Sequence, residues 1–191
     1  MKVIAFNGSA RKDGNTAILI NYALQELEKE GIKTELVQFA GKIIKGCTGC
    51  MACFSAKDLR CIQKSDSFNG YLKKMLEADG VILASPTYVS DVTAGMKAFI
   101  ERSSLVSRAN DEPLRYKAGA GIVAVRRGGA IHALDTLNHF FLIRQMIIPG
   151  SLYWNIGIGR EIGGVEKDEE GLQTMKVLGQ NMAWLLKKLH K

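Results

Sequence analysis

Residues 2–16 have the sequence KVIAFNGSARKDGNT, and they set the expectation for the whole fold. The apolar run KVIAF is rich in β-branched residues and stops at the polar triplet NGS, which predicts a buried strand followed by a turn. Residues 16–30 are predicted to form a helix that Gly31 closes at its C-terminus. One face of that helix is apolar at helical spacing: Ala17, Ile20, Leu24 and Leu27.

Strand and helix alternate along the rest of the chain. Further strands are predicted at 34–39, 80–86, 118–125 and 151–157, and further helices at about 68–78, 93–107, 130–146 and 169–189. This alternation predicts an α/β chain with a doubly wound, five-stranded parallel sheet and helices on both faces. The 191 residues are 47% apolar and contain no linker or repeat, so we expect a single domain over 1–191.

Composition and charge narrow the function classes. The formal net charge is +7, but the basic residues are scattered and are not interleaved with aromatics, so nucleic-acid binding is not expected. An excess of positive charge suits phosphate-bearing cofactors. No signal peptide or membrane-spanning run is predicted, which gives the expectation of a cytoplasmic protein without membrane association. In that compartment free thiols, metal sites or redox chemistry are expected in place of structural disulfides.

Ligands of doubly wound sheets bind beyond the carboxyl ends of the strands, so the loops there are the candidate site. The first loop, GSARKDGNT, lies before a helix N-terminus and offers hydroxyl, amide and guanidinium groups that suit a phosphate monoester. These groups belong to Ser9, Arg11, Asn15 and Thr16. The alternative is a plain strand-to-helix turn with Asn15 as the N-cap.

Two later loops complete the candidate site. SPTYVSD follows the third strand and could offer hydroxyls and an aromatic edge to a planar ligand; Tyr88 could also be an ordinary rim aromatic. RRGGA, residues 126–130, follows the fourth strand. Its glycines would let the backbone approach a flat ring, whereas its arginines could simply be solvated.

The three loops, in this order, resemble the flavin-binding loops of the NADPH-dependent FMN reductase family, which has the flavodoxin-like fold. The segment DEEGLQTMKVLGQNMAWLL is similar to the closing helix of that family. The resemblance implies that the first loop holds the FMN phosphate, that the second lines the ribityl chain and ring, and that the third borders the isoalloxazine. The implied FMN-binding residues are Ser9, Arg11, Asn15, Thr16, Pro86, Thr87, Tyr88, Ser90, Arg127, Gly128 and Gly129.

All four cysteines, Cys47, Cys50, Cys53 and Cys61, lie in one loop at about 46–62. The C-x2-C-x2-C spacing suits three corners of an iron–sulfur cubane, with Cys61 folding back to the fourth iron, and suits zinc less well. Reduced thiols or a disulfide are the alternatives. The pattern on this fold resembles the iron–sulfur flavoproteins, a branch of the family with a [4Fe–4S] cluster beside FMN.

The expected function is an FMN-dependent oxidoreductase that passes electrons from NAD(P)H to a small-molecule or protein acceptor. The flavin would carry the chemistry, so no catalytic side chain is expected. One alternative is an electron carrier that receives electrons from a ferredoxin-like donor through a [4Fe–4S] cluster. Another, of a different class, is a thiol-based redox sensor or binding module. The family resemblance also implies a homodimer or homotetramer.

Overall fold

The computed structural model describes residues 1–190 and contains one parallel sheet of five strands in the order β2-β1-β3-β4-β5. The strands are β1 (Lys2–Asn7), β2 (Lys33–Gln38), β3 (Gly80–Pro86), β4 (Ala118–Val125) and β5 (Ile156–Ile158). The helices are α1 (Asn15–Lys29), α2 (Ala52–Ala56), α3 (Phe68–Glu77), α4 (Ala94–Ala109), α5 (Ala130–Ile143) and α6 (Glu169–Leu189). This strand order is flavodoxin-like, and it confirms the predicted fold class.

The sheet separates two apolar cores. One core packs α1 and α6 against the sheet, with Leu19, Ile20 and Met182 fully buried. The other packs α3, α4 and α5 against the opposite face. Helices α1 and α6 approach so closely that a Cβ on Gly179 would lie 2.4 Å from the carbonyl oxygen of Ala23. The predicted helices on both faces are confirmed.

Several boundaries differ from the predictions, most of them by one or two residues, and the larger differences are as follows. The fifth strand, predicted over 151–157, is only the short β5, because the Ser151 hydroxyl donates to the Tyr153 carbonyl and ties the preceding residues into a turn. Helix α5 ends three residues early. Two short elements were not predicted, α2 and a 3-10 helix at Gly164–Lys167. The prediction of Gly31 after α1 is confirmed by its φ of +76°.

Over residues 1–190, no helix combines the length and the apolar character needed to span a bilayer.

Candidate cofactor cleft and cysteine pocket

The loop after β1 offers backbone N–H groups at the start of α1. Gly14 is the N-cap of that helix, and no side chain caps it, so the first-turn N–H groups are left to a ligand or solvent. Asn15 is therefore not the N-cap. Ser9 is buried, and its hydroxyl accepts a hydrogen bond from the Arg11 backbone N–H at 3.1 Å. The Arg11 side chain itself is exposed at the mouth of the loop.

Buried hydrogen bonds attach the loop after β3 to the loop after β1. The Thr93 hydroxyl donates to the Gly8 carbonyl at 2.8 Å, and the Thr93 N–H donates to the Ser85 hydroxyl at 2.9 Å. Thr93 is also the N-cap of α4, where its hydroxyl accepts from the Met96 N–H. One residue thus fixes the start of α4 and joins both loops.

A tight turn projects from the loop after β3. Tyr88 and Asp91 exchange backbone hydrogen bonds, and the two residues between them, Val89 and Ser90, both have positive φ, 49° and 61°. Gly129, with a φ of +85°, packs directly on Ser90, since a Cβ there would lie 2.7 Å from the Ser90 hydroxyl. Gly129 therefore has a structural reason to be glycine, which is the contact between the loops after β3 and β4.

One cleft collects most of the predicted FMN-binding residues. Its lining includes Ser9, Arg11, Asn15, Thr16, Pro86, Thr87 and Tyr88. The Thr87 hydroxyl is buried there and has no hydrogen-bond partner in the protein. A buried hydroxyl without a partner costs about 1–3 kcal/mol, so this orphan suits a ligand with polar groups.

Asn15 has a different role from the one the sequence suggested. Its amide nitrogen donates to the carbonyls of Gly159 and Glu161, at 3.0 and 2.9 Å, and its amide oxygen accepts from the Val165 N–H at 3.4 Å. The Asn15 side chain thus tethers the segment after β5 to α1. What Asn15 offers a phosphate is its backbone N–H.

Sequence reasoning missed three residues that line the same cleft: Arg126, Gly159 and Arg160. Gly159 and Arg160 follow β5 and also lie just beyond the predicted strand 151–157, so the rule that ligands bind beyond strand ends could have found them. Arg126 belongs to the RRGGA loop, but the resemblance implied that its neighbour Arg127 borders the flavin ring. Arg11, Arg126 and Arg160 together make the cleft strongly cationic.

A second cavity of about 390 Å³ adjoins the cleft and shares Val125 with it. Arg127, Gly128 and Gly129 line this cavity, together with the exposed aromatic side chains of Tyr153 and Trp154. The predicted FMN-binding residues therefore line two cavities: those of the loop after β4 line one, and those of the loop after β1 line the other. Ser90 lines neither cavity, but touches Gly129 at the border.

All four cysteines are free thiols that line one small pocket. α2 lies inside the cysteine loop, between left-handed residues Met51 and Lys57. The backbone of Cys61 is fixed by Asn69 of α3, whose amide accepts from the Cys61 N–H at 2.8 Å and donates to its carbonyl at 2.9 Å. The other wall of the pocket is α4, through Arg102, Leu105 and Val106.

The cysteines differ in their electrostatic surroundings. The backbone N–H of Ala52, followed by the Thr48 hydroxyl, lowers the pKa of the exposed Cys50 thiol. Burial raises the pKa of the Cys53 thiol, and the neighbouring Cys61 and Cys47 add to the rise. Thiolates at this spacing repel one another, and a cationic metal centre would remove that repulsion.

Among residues 1–190, no group of three or more His, Cys, Asp or Glu side chains is arranged to hold a metal ion. The donor set of the pocket nevertheless fits iron–sulfur chemistry, because four thiols and no other acidic or imidazole side chain line it.

A family model described as NADPH-dependent FMN reductase matches residues 1–161. An iron–sulfur flavoprotein of Methanocaldococcus jannaschii is 36% identical, and the match covers 100% of both chains. An iron–sulfur flavoprotein of Archaeoglobus fulgidus is 32% identical over 95% of this chain and 94% of its own length.

Solved structures share the fold at low identity. The structure of RosB with bound 8-demethyl-8-formylriboflavin-5'-phosphate superposes with a TM-score of 0.80 at 20% identity, covering 100% of this chain and 80% of that one. A flavodoxin from the domain Archaea gives a TM-score of 0.63 at 16% identity, covering 98% of this chain and 99% of its own. These likenesses support the flavodoxin-like fold.

Proposed function

The chain belongs to the NADPH-dependent FMN reductase family, in the branch of the iron–sulfur flavoproteins, and on this premise we propose that it is a two-centre electron-transfer protein. FMN would bind in the cleft at the carboxyl ends of the strands, and a [4Fe–4S] cluster would bind at the four cysteines. The observation that carries the proposal is that one chain gathers the predicted phosphate-loop residues in one cleft and every cysteine in another pocket.

The cleft suits FMN through its charges and its unpaired donors. Arg11 would neutralise the terminal phosphate, while the uncapped first-turn N–H groups of α1 donate to its oxygens. The orphan hydroxyl of Thr87 would find a partner on the ribityl chain. The turn that contains Ser90 packs against Gly129, and this contact would form a rigid edge for the ring. Bound FMN supplies reversible one- and two-electron chemistry, and these residues bind and orient it.

Cys47, Cys50, Cys53 and Cys61 would hold the cluster. A bound cluster supplies a one-electron centre. The residues around it control access: Met51 and Ile62 are exposed apolar side chains at the rim, and Leu105 and Val106 close the floor on α4. Cys50 is exposed, so the centre would stand close to the surface, where a donor protein can reach it.

A cavity beside the cysteine loop has a small excess of positive charge among its lining side chains. It has a volume of about 600 Å³ and is lined by three basic side chains, Arg60, Lys64 and Lys73, against two carboxylates, Asp58 and Glu77. An excess of positive charge favours encounter with an acidic protein such as a ferredoxin-type donor.

The distance between the two centres argues for an oligomer. The N-cap of α4, Thr93, joins the loops after β1 and β3 that border the cleft, and Leu105, twelve residues later, lines the cysteine pocket. At about 1.5 Å per residue this length of helix is about 18 Å. A homodimer or homotetramer in which the cysteine pocket of one protomer faces the cleft of another would shorten the electron path.

Direct reduction by NAD(P)H is the second candidate, with a small-molecule or protein acceptor. It is favoured by the family model and by the open cavity beside Gly128, where Tyr153 and Trp154 present exposed aromatic faces to a planar ring. In both cases the protein would act in the cytoplasm.

The deciding experiment is anaerobic. Protein purified and reconstituted without oxygen is assayed for FMN, iron and acid-labile sulfide, and is then mixed with NADPH, NADH or a reduced ferredoxin-type protein. Bleaching of the flavin band by the ferredoxin alone supports the carrier function, and rapid bleaching by either nucleotide moves the assignment to the reductase. Negligible iron and sulfide would overturn the two-centre proposal and leave a flavoprotein with a thiol-rich loop.

A further inference from the structure

Arg102 of α4 lies beneath the cysteine loop and holds both of its ends. The side chain is only 1% exposed. Its guanidinium donates from Nη1 to the Lys45 carbonyl at 3.1 Å, before the first cysteine, and from Nη2 to the Gln63 carbonyl at 3.1 Å, after the last. Nη1 also donates to the Asp66 carboxylate, and the Phe68 ring lies 3.9 Å from Cζ. Arg102 therefore joins the two ends of the cysteine loop.

One N–H donor of this guanidinium makes no hydrogen bond within the protein. The Arg102 Nε–H is buried and has no hydrogen-bond partner in the protein. Leaving a buried charged donor unpaired costs more than the 1–3 kcal/mol of a neutral one, so an acceptor beside this group would stabilise the protein. Arg102 also lines the pocket that the four cysteines share. The groups around that pocket that could accept a hydrogen bond include sulfur atoms.

We propose that Arg102 is a positioning residue for the cluster, that its Nε–H donates to a cluster or cysteinyl sulfur, and that its charge favours the reduced cluster. The inference rests on the proposed function. Reduction adds one electron, and so one negative charge, beside a permanently protonated guanidinium. Hydrogen bonds to sulfur and nearby charge are among the factors that set cluster potentials.

Asp66 pairs with Arg102 without removing the effect of the Arg102 charge on the cysteine pocket. Its carboxylate pairs with the guanidinium but does not line the cysteine pocket, whereas Arg102 does. Burial raises the pKa of Asp66, but hydrogen bonds from Arg102 and from the Lys45 and Phe68 N–H groups outweigh it and bring the pKa below its usual range. Asp66 stays ionised and orients Arg102.

The chain offers a matched control for the burial of this ion pair. Arg144 is also buried, pairs with Glu112 at 2.9 Å, and has an unpartnered Nε–H. Arg144 does not line the cysteine pocket. Replacing either pair removes comparable interactions from the core, but only the Arg102 pair could act on sulfur.

The experiment measures the cluster potential of anaerobically reconstituted full-length protein by dithionite titration. Four proteins are compared: wild type, Arg102→Lys, the double variant Asp66→Asn with Arg102→Gln, and the control Glu112→Gln with Arg144→Gln. We expect the Arg102 double variant to lower the equilibrium constant for cluster reduction about tenfold, which is about 59 mV. Arg102→Lys, which keeps the charge but loses Nε–H, should fall between it and wild type, and the control should match wild type. FMN content should be equal in all four.

A wild-type measurement keeps the test independent of how the variants fold. Protein labelled with ¹⁵N-arginine is reduced, and pulsed electron paramagnetic resonance looks for coupling between a nitrogen nucleus and the cluster spin. We expect that coupling in wild type and its loss in Arg102→Lys. Its absence from iron-loaded wild type, or equal potentials in wild type and Arg102→Lys, overturns the role of Arg102 while leaving the two-centre function intact. Failure of wild type to take up iron and sulfide overturns both.

Discussion

The cofactor cleft and the cysteine pocket stand at the two ends of α4, yet they are built in different ways. The cleft is built mainly from backbone at the ends of parallel strands, fastened by buried bonds such as that between Thr93 and the Gly8 carbonyl. The cysteine loop contains one five-residue helix, and its ends are fixed by side chains, those of Arg102, Asn69 and Asn110. The sheet preforms the first site, whereas the second depends on a few polar contacts.

That contrast predicts that the cysteine pocket loses its function more completely to a single change. Cys53→Ala removes one of four thiolates, and no other cysteine exists to replace it. We expect iron and acid-labile sulfide to fall about fivefold or more after anaerobic reconstitution, with FMN per protomer unchanged. Iron content equal to wild type would show that the four thiols do not act on one centre. Loss of FMN together with iron would show that the two sites are not independent.

At the cleft, the largest expected effect comes from Arg11. Arg11→Ala would remove the proposed charge-assisted contact to phosphate, and a contact of this kind contributes about 1.5–3 kcal/mol, so we expect about a tenfold to 150-fold rise in the Kd for FMN. Lys12→Ala is the matched control, since it removes the same charge from the same loop but does not line the cleft. Fluorescence titration of apoprotein measures both. Equal weakening in the two variants would reduce the role of Arg11 to general electrostatics, and release of FAD from the native protein would contradict the FMN assignment.

The sequence predicted the strands that lead into the cleft loops more accurately than the fifth strand, for a physical reason. Strands β3 and β4 are buried at every residue except Pro86, so their apolar runs give their boundaries to the residue, and the loops after them follow. The run at 151–157 is also apolar, but Leu152, Tyr153 and Trp154 are exposed, so the same signal placed the start of the fifth strand too early. Burial is a tertiary property that a single sequence does not carry.

The sequence did not predict which side chains bond to partners that are distant along the chain. Cysteine spacing predicted that the thiols would meet, and all four line one pocket. Nothing in the spacing indicated that Arg102, on a later helix, would close their loop. Similarly, the Asn15 amide was assigned to phosphate, but it bonds Gly159, far along the chain. A local sequence pattern predicts where a strand, helix or loop lies, but it does not show which distant acceptor a side chain will bond.

The glycines of the fourth-strand loop test whether the cleft is preformed. Gly129→Ala places a Cβ 2.8 Å from the Ser90 Cα at a φ of +85°, and the left-handed conformation alone costs about 1–2 kcal/mol. Gly128→Ala is the neighbouring control, because a Cβ there meets no atom within 4 Å. We expect urea unfolding of the apoprotein to detect a loss of that size for Gly129→Ala and little change for Gly128→Ala. A stable Gly129→Ala protein with normal FMN affinity would mean that the Ser90 turn adapts freely.

The smallest expected effect concerns a pair of contacts that link β1 and β2 to α3. Glu35 of β2 accepts hydrogen bonds from Lys2 of β1 and from Lys74 of α3, the helix whose Asn69 holds Cys61. These bonds, first from Lys2 and then from Lys74, lower the pKa of Glu35. A carboxylate whose folded pKa is lowered stabilises the protein above its unfolded pKa, and this contribution disappears as the pH falls through the folded value.

Glu35→Gln should therefore lower the free energy of unfolding at pH 7 by about 0.5–1 kcal/mol, with the difference from wild type shrinking as the pH falls below about 4. Glu77→Gln is the control, since its partner Lys73 is exposed and 3.8 Å away. Unfolding is followed by two probes, circular dichroism and the release of FMN fluorescence. Equal shifts in both would mean that β2 and α3 hold the cleft and the cysteine loop in one cooperative unit. A shift in circular dichroism without a shift in FMN release would mean that the cysteine side detaches first, as expected of the region that fewer backbone contacts support.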